Sequence, residues 1–583
     1  MRSAPRRIVV RDNLVLLGLA VAIGIASGIA SIGFRYLLGL TQFLFYGDAS
    51  EKLASRASQL DWWQILLATT FGGLLIGLLL KHLLGGKRAE GVAHVIEACA
   101  LRGGRMNLDT AIRSAIVNAC SLGVGASTGR EGPVVHLGAA LASRTAHYFG
   151  MPTKVSRSLL GCGVAAAVAA SFNAPIAGVF FALEVVIGHY ALSAFAPVVV
   201  ASVAGTLVSR GYYGDYPAFV LPDYFIGSVF EFPAFLMLGI VCAVVSIIFL
   251  LSIRAAELVF DWIDPPIILR PVMAGFSVGV IAIAFPHVLG VGYEGTDLAA
   301  NGQMSLTLLF ALIIFKNIAS SISLAGGFGG GVFSPSLFLG AMTGGVFGIV
   351  ATGLFPDQSS ADGVYALAGM GAVAGAMLGA PISTILIIFE MTGDYELTIA
   401  VMIAVVACVT LHMQVIGDSF FSWQLSMRGI NLESGREVGL LSEIRVRDVM
   451  KPNYAHIQSA ETVADVAERL KTAHHGSLFV LDEQGKFAGT VGVPDLMLAL
   501  DRQETAEGEP KQSEIATAGD MVRKDPPFLS GTDTLDVAMR LIEETGESHV
   551  AVLDNIISRR LVGILHEHDV MVAYHRALLE AQA

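Results

Sequence analysis

Long apolar runs broken by short polar turns fill the first 430 residues, at Leu14 to Phe34, Ile65 to Leu80, Ala234 to Leu251, Pro271 to Phe285, Thr307 to Phe315 and Thr398 to Met413. Some match the hydrocarbon thickness of a bilayer; others are too short to cross it upright and carry glycine. The pattern therefore predicts an all-α, polytopic membrane domain of tilted, broken or re-entrant helices packed against one another. After Arg428 the pattern changes. From Ser442 onward charged residues are frequent, no apolar run is long enough to span, and short apolar strands alternate with amphipathic helices. A soluble α/β domain is expected there.

Both regions repeat internally. In the soluble part Asp448, Thr462, Leu481 and Asp482 recur 72 residues later as Asp520, Thr534, Leu553 and Asp554. Each copy reads as a Thr-capped helix (Thr462 to Asp465, Thr534 to Val537), an apolar strand (Ser477 to Leu481, His549 to Leu553), a second strand and a helix. The polar stretch Gln503 to Glu514 reads as the linker. In the membrane part Glu131-Gly-Pro133 through Ala139 resembles Phe333-Ser-Pro335 through Ala341, and Asn173-Ala-Pro175 through Glu184 resembles Gly379-Ala-Pro381 through Glu390. Two homologous halves of this kind commonly enclose a site near the bilayer midplane. The boundaries predicted are a membrane domain over 1–438, with halves at about 14–225 and 226–430, a first soluble copy over 439–502, and a linker with the second copy over 503–583.

Composition agrees with this division. The chain is 54% hydrophobic and 15% charged, with a net charge of -12 that falls disproportionately on the C-terminal part, which speaks against a nucleic-acid partner. Arg2, Arg6, Arg7 and Arg11 precede the first apolar run and no cleavage site follows it, so the N-terminus is expected in the cytoplasm of a prokaryotic inner membrane, together with the soluble domain. Cys99, Cys120, Cys162, Cys242 and Cys408 lack metal-ligand spacing and read as packing residues.

The candidate chemistry lies in two glycine-rich turns, Gly125 to Pro133 and Gly326 to Pro335, each leading into an apolar helix through a first-turn proline. Such turns leave backbone N–H groups free at a helix start, where the macrodipole adds roughly half a positive charge. Two facing starts would hold an anion without a full positive charge that would trap it. Glycine at tight helix contacts is the plainer alternative. Glu131 adds to the case, since an acidic side chain among apolar segments costs about 2.5–3.5 kcal/mol and usually faces a partner or an aqueous path. Its carboxylate could occupy the anion site and be displaced on protonation, or pair with adjacent Arg130.

Gly129-Arg130-Glu131-Gly132-Pro133 together with Gly331-Val332-Phe333-Ser334-Pro335 resembles the ClC chloride channel and transporter family over roughly Asn13 to Ile430. The soluble repeat resembles the paired CBS domains that many ClC proteins carry. The resemblance implies the ClC fold of two inverted repeats followed by a tandem CBS pair, a homodimer with one pore per subunit, and Glu131 as the external gate. It also implies an anion site from Gly129, Arg130, Gly331, Val332 and Phe333, chloride as substrate, and no required cofactor.

Three positions depart from the family pattern. The usual first-half Gly-Ser-Gly-Ile-Pro loop aligns with Ala89-Glu90-Gly91-Val92-Ala93, so Glu90 and Gly91 stand either beside the anion or on a solvated cytoplasmic edge. The late tyrosine is Phe421. The internal proton-transfer glutamate is Val185, directly after Glu184, which favours passive or weakly proton-coupled anion flow over proton-coupled exchange. In the CBS copies Asp495 and Asp569 retain the aspartate that holds the ribose of an adenine nucleotide. The threonine before each is Gly492 or His566, which favours a structural role. A CBS-regulated cation transporter remains the alternative of another class. An enzyme is not expected, since the apolar region carries no nucleophile–base or metal-ligand cluster.

Overall fold

The computed structural model describes residues 13–50, 52–188, 192–214, 231–430, 441, 444–452, 454–473, 476–505, 517–523, 526–555 and 558–582. The N-terminal arginines, the expected boundary between the halves at 225, most of the Gln503 to Glu514 linker and the expected domain boundary at 438 lie outside them. The chain forms two compact units, Met1–Asn431 and Leu432–Ala583.

The first half of the membrane unit runs α1 (Asn13–Tyr46), α2 (Leu53–Ala57), α3 (Trp62–Leu83), α4 (Val92–Leu101), α5 (Leu108–Gly123), α6 (Glu131–Tyr148), α7 (Thr153–Phe172), α8 (Pro175–Phe181) and α9 (Leu192–Tyr213). The second runs α10 (Phe232–Ile263), α11 (Leu269–Ala284), α12 (Tyr293–Ala300), α13 (Leu306–Ala325), α14 (Phe333–Leu354), α15 (Asp362–Leu378), α16 (Pro381–Thr392), α17 (Tyr395–Ile416) and α18 (Phe420–Ser426). Among the described residues eight helices are long and apolar enough to cross a membrane. The protein is a multi-pass membrane protein.

The two halves share their local devices as well as their order. Asn173 ends α7 and Gly379 ends α15 in the left-handed conformation, at φ 60° and 65°, and each is followed by a proline opening the next helix. A Cβ on Gly138 of α6 would lie 2.5 Å from the Gly163 carbonyl of α7, and one on Gly340 of α14 would lie 2.2 Å from the Gly369 carbonyl of α15. Both crossings therefore need glycine so that the backbones can touch, which is how packing replaces hydrophobic drive inside lipid.

Glu184 and Glu390 close the repeat. Glu184 accepts from the Ile382 and Ser383 N–H groups at the start of α16 (3.0 and 2.9 Å), and Glu390 accepts from Ile176 and Ala177 at the start of α8 (2.9 and 2.7 Å). Each carboxylate supplies the negative charge that a helix N-terminus favours, so these acids anchor helix ends across the two halves.

The soluble unit contains two three-stranded sheets of one topology, His456–Gln458, Ser477–Leu481 and Phe487–Gly492 in one and Phe528–Ser530, His549–Leu553 and Leu561–His566 in the other. The first pair of strands is parallel and the second antiparallel in each, with a register shift at Val480/Leu481 and again at Val552/Leu553. The recurrence of an irregularity 72 residues on supports duplication more strongly than shared topology does. Phe479, Leu481 and Phe487 of one copy pack with Ala551, Leu553 and Leu561 of the other.

Candidate functional site

The two glycine-rich turns meet head to head. Gly129 N–H donates to the Gly331 carbonyl at 2.7 Å and Gly331 N–H to the Gly129 carbonyl at 2.9 Å, an isolated antiparallel bridge that joins the halves at the starts of α6 and α14. Hydroxyls secure it on both sides, with Thr128 Oγ1 donating to the Gly329 carbonyl and Gly329 N–H donating to Ser121 Oγ, each at 2.9 Å. Gly330 sits at φ 137°, and a Cβ there would be 2.1 Å from Thr128 Oγ1. Only glycine fits.

This bridge corrects one expectation. The amides of Gly129 and Gly331 are spent on each other, so these residues clamp the loops instead of donating to an anion. The N–H groups of Glu131 and Gly132, and of Phe333 and Ser334, lie in the first turns of the two helices, where the helix itself supplies no partner.

Glu131 opens α6 and is fully buried. The Tyr293 phenol donates to its Oε1 at 2.5 Å, and the Ser334 hydroxyl donates to its Oε2 at 2.6 Å. Arg130 stands farther off, with Nε 3.9 Å from Oε1 and its guanidinium carbon 4.6 Å from the centre of the Tyr293 ring. Two neutral hydroxyls, one from α12 and one from α14, thus carry the carboxylate, and the pairing with Arg130 expected as an alternative is only a distant contact. The carboxylate has been placed at the start of the opposite half's helix. Phe333 packs its ring against Phe172 and Phe181 at 5.0 and 5.9 Å.

Two separate cavities flank this point. A cavity of about 580 Å³ is lined by Glu90, Gly91, Gly331, Val332, Phe333 and Phe421, among others. Glu90 is therefore on the wall of the same space as the helix starts, with one third of its side chain exposed. The small cavity, about 30 Å³, includes Arg130, His287, Tyr293 and Glu294 in its wall. It has room for about one water. Gly132 lines the large cavity and Arg130 the small one, so Glu131 sits at the divide. Lys87, Arg88, Arg102 and Arg428 line the large cavity against Glu90, Glu97 and Glu257, a net charge of +1 that draws in anions.

Tyr293 and Ser334 were not singled out in the sequence, yet one signal existed. Glu131 and Phe333 are 202 residues apart, and the same offset carries Gly91, the cap of α4, onto Tyr293, the first residue of α12. Val185 lies in a π-helical turn, Ala182–Ile187, and lines neither cavity.

In the soluble unit Asp495 Oδ2 accepts from Gly492 N–H at 2.8 Å, and Asp569 Oδ1 pairs with Lys451 Nζ at 2.8 Å. Where a hydroxyl would be needed stand Gly492, which has no side chain, and His566, whose ring meets His549 edge-on at 4.5 Å.

Two helix starts joined head to head beside a buried carboxylate, in a multi-pass membrane protein of two similar halves, are the features that comparison with known proteins places in a family. The family profile for voltage gated chloride channels matches residues 72–412, and that for the CBS domain matches 446–502 and 518–576. The chain belongs to the voltage-gated chloride channel, or ClC, family of anion transporters. It is 34% identical over 406 residues to a putative chloride channel protein ClcB-like of Ralstonia nicotianae, covering 68% of this chain and 94% of that one. It is 26% identical over 629 residues to the chloride channel protein CLC-f of Arabidopsis thaliana, covering 94% and 79%. Similar solved structures include a slow cyanobacterial Cl-/H+ antiporter (TM-score 0.63, 21% identity, 71% of this chain and 97% of that). A eukaryotic CLC transporter has TM-score 0.62 at 18% identity, over 95% of this chain and 98% of that. At these identities the structures speak for the fold alone.

Proposed function

We propose that this protein carries chloride or a similar small anion through one pathway per subunit, gated by Glu131, with channel-like or weakly proton-coupled flow. The observation that carries this reading is the position of the Glu131 carboxylate, fully buried at the start of α14 and at the divide between two cavities. An anion drawn to the N–H groups of Phe333 and Ser334 and a carboxylate held there compete for one place. Protonation weakens the carboxylate's hold and frees the site. Arg130 then serves the small cavity, whereas Val332, Phe333, Phe421 and Gly91 shape the approach from the large one.

Val185 favours passive or weak coupling, since an apolar side chain relays no proton. The homodimer remains a proposal from the family resemblance, to be tested by the mass of the detergent-solubilised protein. The large cavity, with Lys87, Arg88, Arg102 and Arg428 on its wall, is assigned to the cytoplasmic side by the excess of basic residues that such loops carry. For the CBS pair we favour a structural role, tested by titrating ATP into the full-length protein, where no saturable binding is expected.

Chloride flux from reconstituted liposomes tests the gate. Glu131→Gln mimics the protonated form, so it should raise flux at neutral pH by roughly tenfold or more and weaken the dependence on acidity. Unchanged flux and an unchanged pH response would refute the gate. Simultaneous recording of proton movement separates the two transport modes. Uphill proton pumping driven by a chloride gradient would select the exchanger.

A further inference from the structure

The wall of the large cavity holds three carboxylates with different partners. Glu257 receives Arg88 at 2.7 Å, and Glu97 receives Arg102 and, at 3.5 Å, Arg428. Those two carboxylates are paired with permanent cations, because arginine does not lose its proton. Glu90 differs. Among the described residues its partner within ion-pair distance is a histidine, with His136 Nε2 3.1 Å from Glu90 Oε2.

Local structure fixes this pair. Glu90 N–H donates to Ser114 Oγ at 3.2 Å and its carbonyl accepts from Asn118 Nδ2 at 3.4 Å, so α5 holds the backbone. His136 is 1% exposed and stands on α6 five residues after Glu131. A carboxylate oxygen and an unprotonated imidazole nitrogen both present lone pairs, and at 3.1 Å they are compatible only with a proton on one of them. The nearby His94 ring, 6.1 Å from His136 between centres, is committed elsewhere, since its Nδ1 accepts from Gly91 N–H at 3.2 Å. That contact keeps Nδ1 unprotonated.

We propose that Glu90 and His136 form a second proton-binding site in the anion path, whose loading admits the anion from the large cavity. The proposal rests on the pathway assigned above, because it needs an anion to pass the cavity wall. With His136 neutral, the pair carries charge -1 beside the helix starts and repels the anion. One proton makes the pair neutral; a second leaves it positive. The other charged side chains on this wall are Lys87 and the three arginines Arg88, Arg102 and Arg428, which pair with Glu257 and Glu97.

The test is chloride efflux from liposomes between pH 7.5 and 5.0, with Glu131→Gln as the background so that the first gate no longer responds. Glu131→Gln should keep a rise of roughly tenfold on acidification, the scale set by one unit charge several ångströms from the ion in a wet cavity. Glu131→Gln/Glu90→Gln should already run fast at pH 7.5, roughly tenfold above Glu131→Gln, since the pair then carries no negative charge. Glu131→Gln/His136→Gln should need stronger acid, since Glu90 must then be protonated alone. A flat response in Glu131→Gln, or flux at pH 7.5 that Glu90→Gln does not raise in that background, overturns the proposal. If Glu131→Gln does not differ from the unsubstituted protein, the gate reading fails by itself, and Glu90→Gln alone then decides, by raising the flux at pH 7.5 or leaving it unchanged.

Discussion

The first and second halves of the membrane unit use one backbone plan with different side chains at the crossing. Glu131 begins α6 where Phe333 begins α14, and Gly91 caps α4 where Tyr293 begins α12. The shared backbone supplies paired helix starts and so a place for an anion. The unequal side chains make that place conditional. A carboxylate from the first half reaches the helix of the second, held by hydroxyls that the second half alone contributes. Duplication therefore accounts for the site, and divergence at a few positions accounts for its gate.

Breaking the shared backbone should have the largest effect. Gly330→Ala forces a Cβ against Thr128 at a φ that alanine avoids, so the loops separate and flux should fall to the background of protein-free vesicles. Retention of more than half of the flux in that variant would show that the bridge is dispensable.

Breaking the asymmetry should act in the opposite direction. Tyr293→Phe removes one of two hydroxyl donors from the buried carboxylate, and a hydrogen bond to a charged group contributes about 1.5–3 kcal/mol. Flux at neutral pH should rise about tenfold, because the lost donor helped to hold the carboxylate at the start of α14. A variant with ordinary flux would remove Tyr293 from the gate.

The soluble repeat allows a smaller version of the same comparison. Thr462 caps its helix by accepting from Asp465 N–H, whereas Thr534 makes no such side-chain bond. Thr462→Ala should cost about 1 kcal/mol of that unit's unfolding stability in the full-length protein and Thr534→Ala close to none. The cap also has a pH signature. Hydrogen bonds from the Thr462 hydroxyl and amide hold Asp465 below the usual carboxylate value of 3.8, so its contribution is present above that value and is lost as the pH falls through the lowered one. Equal losses from the two alanine variants would contradict the difference in caps.

How much of this could be read from the chain depended on how far apart the interacting residues lie. Both duplications were legible, because each is a matter of spacing along one strand of text. The helices Thr153–Phe172 and Asp362–Leu378 were not among the apolar runs, since they are buried among other helices and carry alanine and glycine where lipid-facing helices carry leucine. The Glu131 site was legible as a place and not as a set of partners. Tyr293 and Ser334 lie 162 and 203 residues away; nothing local marks Tyr293, and Ser334 stands in the second glycine-rich motif with no sign there of its bond to Glu131. The mutual capture of the Gly129 and Gly331 amides was equally hidden, since either turn alone reads as a free donor.

The most direct test of competition between carboxylate and anion is anomalous diffraction from crystals grown in bromide, comparing the unsubstituted protein with Glu131→Gln at neutral pH. The account predicts a bromide peak about 3.3 Å from the Ser334 amide in Glu131→Gln, at the place the carboxylate vacates, and none there in the unsubstituted protein. A peak at that place in both, with the Glu131 carboxylate still held by Tyr293 and Ser334, would contradict it.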